Sequence, residues 1–392
     1  MILTARKTPF PEKRPVRVLH IVHQMGRGGI EAWLMDVLRT IDRARFACDF
    51  LVYTTERQAY DDEIRALGFR ILPCTHPSRP LRHTRHLRHL LATEGPYDVI
   101  HVHGSSEAGN TLREAASVGI PIRIAHSHNT SEGVRRLRSY AYRMVTRQWM
   151  LKYMTHGLGC SGVACAHLFG EDWKSDRRCR VLFYGRNWER FREPADTSTI
   201  RANLGLPQNA LVIGHVGRFH AQKNHGFWVK VAQNIAARRE DARFLLIGDG
   251  TLRESIQDRV RQYGLEDRFV FTGERTDVHD LLQAMDVFLF PSLYEGLPNA
   301  LLEAQAVGLP CVVSDTITPE TTAVEGQVSQ ISLELSPERW AKEILEMSAQ
   351  DRHENHPTAW ATVAHGAFSI DYCVDQLVDI YRGGDSRSDG AQ

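Results

Sequence analysis

Two glutamates, Glu295 and Glu303, stand with seven residues between them in the run Pro291-Ser-Leu-Tyr-Glu-Gly-Leu-Pro-Asn-Ala-Leu-Leu-Glu303. The run follows the apolar stretch Val287–Phe290 and reads as strand, loop and helix, with Pro298 and Asn299 in the first helical turn. Glu295 then sits in the loop, free to reach a ligand, and Glu303 follows about 6 Å along the helix at about 1.5 Å per residue. Backbone amides around Gly296 and Leu297 would form an anion site strengthened by the helix dipole. The same residues also describe an ordinary capped junction with two solvated carboxylates.

A second cluster lies in Gly214-His-Val-Gly-Arg-Phe-His-Ala-Gln-Lys-Asn224. Arg218 and Lys223 leave a strand-ending glycine turn at a spacing that can straddle a diphosphate, the Arg as a fork and the Lys as a point charge. Two solvated surface cations are the plain alternative. Gly26-Arg-Gly-Gly-Ile-Glu31 follows the first strand, and Gly28 and Gly29 permit close approach of backbone to phosphate or sugar. Gly-Gly at such a turn also occurs for packing alone, and the role of Glu31 is open. In Ala125-His-Ser-His-Asn129, His126 and His128 share one face of an extended strand, which allows a metal pair, a core pair or a reacting group. His101 and His103 repeat the spacing at another strand end and read as structural.

The elements that must hold these residues alternate strand and helix from end to end. Strands are expected near Val16–Val22, Cys48–Tyr53, Val99–Val102, Ile122–Ala125 and Gly157–Cys160, then near Leu211–Val216, Phe244–Ile247, Phe269–Phe271, Val287–Phe290 and Cys311–Ser314. Several lack polar alternation, as parallel strands covered on both faces do. A chain of 392 residues exceeds one core. The fold class is therefore α/β, two Rossmann-like doubly wound domains facing a central cleft.

Boundaries follow from composition: a disordered lead-in 1–15, a domain 16–190, a Pro-bearing linker 191–208, a domain 209–369 and a polar tail 383–392. An apolar helix near 370–382 is expected to return to the first domain. Leu246-Ile-Gly-Asp-Gly250 reads as a strand-to-helix turn that supports the fold more than the function.

The seven cysteines include no CxxC pair, which argues for a reducing compartment, the cytosol, and against a structural zinc site. No run suits a spanning helix or a signal peptide. Lys and Arg outnumber Asp and Glu by 30 to 18 in residues 1–190 and are outnumbered by 18 to 29 in the rest. The first half should therefore meet something anionic. Basic helices at Leu81–Leu91 (Arg82, Arg85, Arg88) and Arg135–Tyr153 (Arg136, Arg138, Arg143, Arg147, Lys152) suit either an anionic membrane surface or a solvated face. No nucleic-acid module is visible.

The frame PSxxEGxPxxxxEA resembles the donor-site signature of retaining GT-B glycosyltransferases of family 4, and the likeness runs from about Val16 to Tyr381. The resemblance implies that Glu295 contacts the donor sugar and Glu303 the ribose. It implies that Arg218 and Lys223, in an intact GRxxxxKN frame, bind the donor phosphates, with Gly28 and Gly29 beside them. His128 lies near the transferring sugar, and Gly273-Glu-Arg-Thr-Asp277 near the base. His128, Arg218, Lys223 and Glu295 are the catalytic candidates. Gly296, Leu297, Pro298 and Asn299 complete the donor set.

The partners so implied are a nucleotide-sugar donor and a glycan or lipid-linked acceptor, as in exopolysaccharide and capsular polysaccharide transferases, with no cofactor and no divalent metal. One departure is Tyr184-Gly-Arg-Asn187, where the family has an Asn-Gly-Ile/Val-Asp-like run. The rival readings are a metal-dependent hydrolase using His126 and His128, a glycoside hydrolase using Glu295 and Glu303, and a non-catalytic GT-B subunit.

Overall fold

The computed structural model describes residues 14–104, 108–128, 137–349 and 356–384, with only the backbone for 137–141. It divides into two compact units: the chain up to Arg186 together with the part from Ile370, and Asn187–Ser369.

The first unit holds β1 Val16–Ile21, β2 Phe46–Val52, β3 Ile71–Pro73, β4 Val99–His103, β5 Ile122–Ser127, β6 His156–Gly159 and β7 Cys179–Val181. Their order is β3-β2-β1-β4-β5-β6-β7, every pair parallel. The second holds β8 Leu211–Val216, β9 Ala242–Ile247, β10 Phe269–Gly273, β11 Val287–Phe290, β12 Cys311–Ser314 and β13 Val328–Ile331, ordered β10-β9-β8-β11-β12-β13 and again parallel. Each sheet reverses direction of growth at its first strand. Loops leaving β1 and β4, and those leaving β8 and β11, therefore diverge and open a crevice at the strand ends.

The central strands are apolar because helices cover both faces. Phe288, Leu289 and Phe290 of β11 are wholly buried, each contributing about 1.5–3 kcal/mol by leaving water. Three strands absent from the sequence reading, β3, β7 and β13, are the short sheet edges, largely half-buried. An edge strand has a neighbour on one side only and does not need an apolar run.

The helix Ile370–Tyr381 lies in the first unit. Trp33 Nε1 there donates to Cys373 Sγ at 3.4 Å, and Arg180 Nη2 donates to Gln376 O at 3.1 Å. The stretch 191–208 differs from the linker expected. It holds a helix, Thr197–Asn203, and belongs to the second unit. Arg201 of that helix is buried, donating to both Asp286 oxygens at 3.0 and 2.9 Å and to the carbonyls of Ala284, Gln208 and Ala210. A satisfied arginine replaces an apolar face, and the composition therefore reads as polar.

The lead-in lies outside the described residues up to position 13, as does the tail from 385. All seven cysteines are buried, and none is in a disulfide. No helix among the described residues is long and apolar enough to cross a membrane.

Candidate active site

In the second unit the loops after β8 and β11 carry both expected motifs. After β8, Gly217 leaves no room for a side chain: a Cβ there would lie 2.7 Å from His215 Nε2 and 3.3 Å from Lys223 Cδ. Backbone bonds tie this loop to the turn after β9, Gly217 N to Ile247 O at 2.9 Å, Phe219 N to Asp249 O at 2.9 Å and Leu252 N to Phe219 O at 3.1 Å. That turn needs its glycines. Gly248 (φ 133°) and Gly250 (φ 153°) adopt a backbone closed to other residues, and a Cβ on either would strike Gly217 or Phe219 backbone. The Leu246–Gly250 turn thus shapes the loop that bears the cations. Ala221–Lys223 forms a 3-10 turn, and Asn224 (φ 55°) passes the chain into the helix His225–Ala236.

Three contacts join the two loops. Leu293 N donates to Gln222 O at 2.8 Å, Gln222 Nε2 to Tyr294 O at 2.8 Å, and Lys223 Nζ to Glu295 Oε1 at 2.7 Å. Glu295 is buried and Lys223 nearly so, with the ammonium 4.6 Å from the centre of the Phe290 ring. Ser314 and Thr316 hydroxyls donate to Ser292 O at 2.5 and 2.8 Å, fixing the loop to the end of β12.

The helix Asn299–Ala306 starts one residue later than expected, with Pro298 at the cap position and no side chain capping it. Of its first-turn amides, Leu301 N and Leu302 N donate to Pro298 O, and those of Asn299 and Ala300 have no acceptor within the helix. Glu303 lies in mid-helix, half-buried. Arg218 is exposed, and no carboxylate among the described residues pairs with it. Buried polar atoms without partners gather along these loops: His215 Nε2, both ring nitrogens of His225, Ser292 Oγ and Asn299 Oδ1. Burial holds the His215 imidazole far below its ordinary pKa, and burial followed by the Lys223 charge lowers that of His225 to about 4. Both are neutral.

In the first unit Gly28 caps the helix Gly29–Thr40, and the Glu31 carboxylate folds back where a Gly28 side chain would be. Glu31 therefore occupies the helix N-terminus itself.

The histidines form an array. His20 pairs in register with His101, and His103 with His126. With His128 they line one face of β1, β4 and β5. His20 Nδ1 lies 3.0 Å from His103 Nε2, and His103 Nδ1 lies 2.9 Å from His128 Nε2. His128 Nδ1 is 2.5 Å from Tyr184 Oη. A second chain runs from Tyr381 Oη to His101 Nδ1 at 2.8 Å and from His101 Nε2 to His126 Nδ1 at 3.0 Å. Trp33 covers the array, its ring 5.3 Å from His126 and 5.2 Å from Tyr184.

Burial lowers His20 and His128 to about 3 and the other three well below 6.5. His126 and His128 do face the same way, and His101 and His103 join them. Both nitrogens of His128 are engaged inside the fold. His20 and Tyr184 were missed by the sequence reading. His20 had one signal, a polar residue within the apolar strand Val16–Ile21. Tyr184 sits in the run that departs from the family pattern.

The basic helices are partly spent on internal contacts. Arg88 pairs with buried Glu114, and Arg147 donates to the carbonyls of Leu168 and Phe169. Arg82 and Arg85 are exposed, beside exposed Leu81. Arg135 and Arg136 lie outside the described residues, and Arg138 is described by backbone only.

Residues 28–185 match the family described as Glycosyl transferase 4-like domain, and residues 210–350 match Glycosyl transferases group 1. The chain is 35% identical over 371 residues to the putative glycosyltransferase EpsF of Bacillus subtilis, covering 93% of this chain and 96% of that one. It is 29% identical over 290 residues to the UDP-Gal:alpha-D-GlcNAc-diphosphoundecaprenol alpha-1,3-galactosyltransferase of Escherichia coli, covering 70% and 72%. Among solved structures, Anabaena HepE in complex with UDP and glucose superimposes with a TM-score of 0.75 at 17% identity, covering 93% and 98%. The kinship does not favour a hydrolase reading. With two parallel, doubly wound sheets and both family regions in place, the chain belongs to the group 1, family 4-like glycosyltransferases of the GT-B fold.

Proposed function

We propose that the protein moves a sugar, with retention of anomeric configuration, from a nucleotide-diphosphate donor to a glycan or polyprenyl-diphosphate-linked acceptor in polysaccharide synthesis. The observation that carries this reading is the Lys223–Glu295 contact at 2.7 Å between the loops after β8 and β11. It holds a lysine and a glutamate side by side where an anionic leaving group and a polyhydroxyl sugar would meet. On donor binding, Arg218 and Lys223 take the diphosphate, and Glu295 turns to the sugar hydroxyls. The backbone amides of Gly296, Leu297 and Asn299 add donors, and Glu303 takes the ribose.

These groups stabilise the charge that grows on the leaving phosphate without a divalent ion. That phosphate then accepts the acceptor's proton during front-side attack. A hexosyl or acetamidohexosyl unit is the sugar proposed, and UDP, bound by HepE, is the first nucleotide to try.

The first unit, through its basic helices, is assigned to the acceptor side. Exposed Leu81, Arg82 and Arg85 suit an anionic lipid surface on the cytoplasmic face. A lipid-linked acceptor is the substrate of the Escherichia coli relative by its name. The test is turnover of a panel of UDP-sugars in EDTA, with the product's anomeric configuration read by proton NMR. Transfer with retention is expected. Inverted product, or activity restored only by manganese, would overturn the mechanism.

A further inference from the structure

The histidine array does more than fill the space beneath Trp33. One ring nitrogen from each of His103, His126 and His128 lies within 4.8 Å of the other two. The second nitrogen of each ring is held by a group outside this triad. Tyr184 Oη holds His128 Nδ1 at 2.5 Å, His101 Nε2 holds His126 Nδ1 at 3.0 Å, and His20 Nδ1 holds His103 Nε2 at 3.0 Å. Three nitrogens remain. His128 Nε2 and His103 Nδ1 face one another at 2.9 Å and share a single proton, and His126 Nε2 is buried without any partner.

An outer hydrogen bond on every ring, with the inner nitrogens converging, is the arrangement by which proteins orient imidazole ligands. We infer that His103, His126 and His128 form a three-histidine site for a zinc-class dication, with water or hydroxide in the fourth position.

The tautomers close without charging any ring. In the ion-bound form His128 Nδ1–H donates to Tyr184 Oη and His103 Nε2–H donates to His20 Nδ1. His126 Nδ1–H donates to His101 Nε2, and His101 Nδ1–H in turn donates to Tyr381 Oη. Where the proton between His103 and His128 rests on His128 Nε2, it alone moves, to Nδ1, as the Tyr184 hydroxyl turns; where it rests on His103 Nδ1, it moves to Nε2 and the His20 proton moves from Nδ1 to Nε2. Zinc–nitrogen bonds of about 2.0–2.1 Å at tetrahedral angles place two ligands about 3.3 Å apart. The 2.9 Å pair need open only slightly.

The neighbouring trio His20, His101 and His103 also converges. There, however, both nitrogens of His101 are committed, to Tyr381 and His126, and one of those bonds would have to break. The ion has no place in the leaving-group chemistry proposed above and does not rest on it. It cross-links β4 to the end of β5 and stabilises the first unit.

The test uses the full chain without an affinity tag, stripped of metal and titrated with Zn²⁺ or Co²⁺. One equivalent should bind, Co²⁺ should show the visible bands of a four-coordinate site, and saturating Zn²⁺ should raise Tm by roughly 5–10 °C. Mg²⁺ and Mn²⁺ should have no effect, imidazole ligands favouring the zinc class. His126→Gln should abolish binding, whereas Tyr184→Phe, which keeps all three ligands, should weaken it about 10–100-fold. X-ray absorption on the zinc-loaded natural chain needs no variant and should show three imidazoles in the first shell. No spectral change with Co²⁺, an oxygen-dominated shell, or unchanged affinity in a folded His126→Gln would each overturn the site. UDP-sugar turnover that persists in the stripped protein would leave both this site and the transferase reading standing. Its loss on stripping and return with Zn²⁺ alone would overturn the purely structural role.

Discussion

Lys223 Nζ and Glu295 Oε1 meet at 2.7 Å although 72 residues separate them, the lysine side chain 17% exposed and the glutamate 8%. From the sequence the two are independent motif members, one for phosphate and one for sugar. In the fold they neutralise each other, and removing either costs the other this ion pair at a site largely closed to water. Lys223→Met and Glu295→Gln should each end transfer, and each should also destabilise the second unit by about 1–3 kcal/mol. The double substitution should be milder than the sum of the two. A double-mutant cycle by urea denaturation checks this, and strict additivity would deny the coupling.

Arg218 makes the complementary case. It stands in the same loop but is exposed and unpaired among the described residues. Arg218→Ala should weaken UDP binding at least tenfold while leaving stability within about 0.5 kcal/mol of the natural chain. Calorimetric titration with UDP beside a thermal melt separates the two effects. Unchanged UDP affinity would remove Arg218 from the donor site.

The Leu246–Gly250 turn should matter although it touches no proposed substrate group. Gly250 has φ 153° with Phe219 backbone against the position a Cβ would take. Gly250→Ala must push the cation-bearing loop away, at a cost above about 1 kcal/mol. The expected result is a raised KM for the donor. A donor KM equal to that of the natural enzyme would show that the loop holds its shape without this contact.

The metal-free first unit should be acid-sensitive. Burial lowers His20 and His128 to about 3 and His101, His103 and His126 well below 6.5. The unfolded chain, whose histidines titrate near 6.5, therefore binds protons that the folded one refuses between those values. Stability is fully present above pH 6.5 and falls as pH drops toward 4.5, by about 1.4 kcal/mol per pH unit for each histidine. Hydrogen exchange in β4 and β5 at pH 7.0 and 5.0 reads this directly. Equal protection at the two values would mean that the folded array takes up protons as readily as the unfolded chain.

How much of this was legible in the sequence depends on what each element had to bury. The central strands were readable because strands covered on both faces must be apolar throughout, as Val287–Phe290 is. The edges β3, β7 and β13 were not, because three or four half-buried residues carry no periodic signal. The segment 191–208 looked like a linker because Arg201 is buried through hydrogen bonds rather than through apolar area.

Local sequence determined the two doubly wound sheets and the placement of Glu295, Lys223 and the glycine turns at strand ends, since residue type and spacing set strand, loop and helix directly. Tertiary structure alone decided that Lys223 pairs with Glu295 and that four histidines on three strands, with His128 just beyond them, join Tyr184 and Tyr381 in two adjacent buried chains. Strand order and register make those contacts. They depend on which strands become neighbours, and no local window of the chain contains that information.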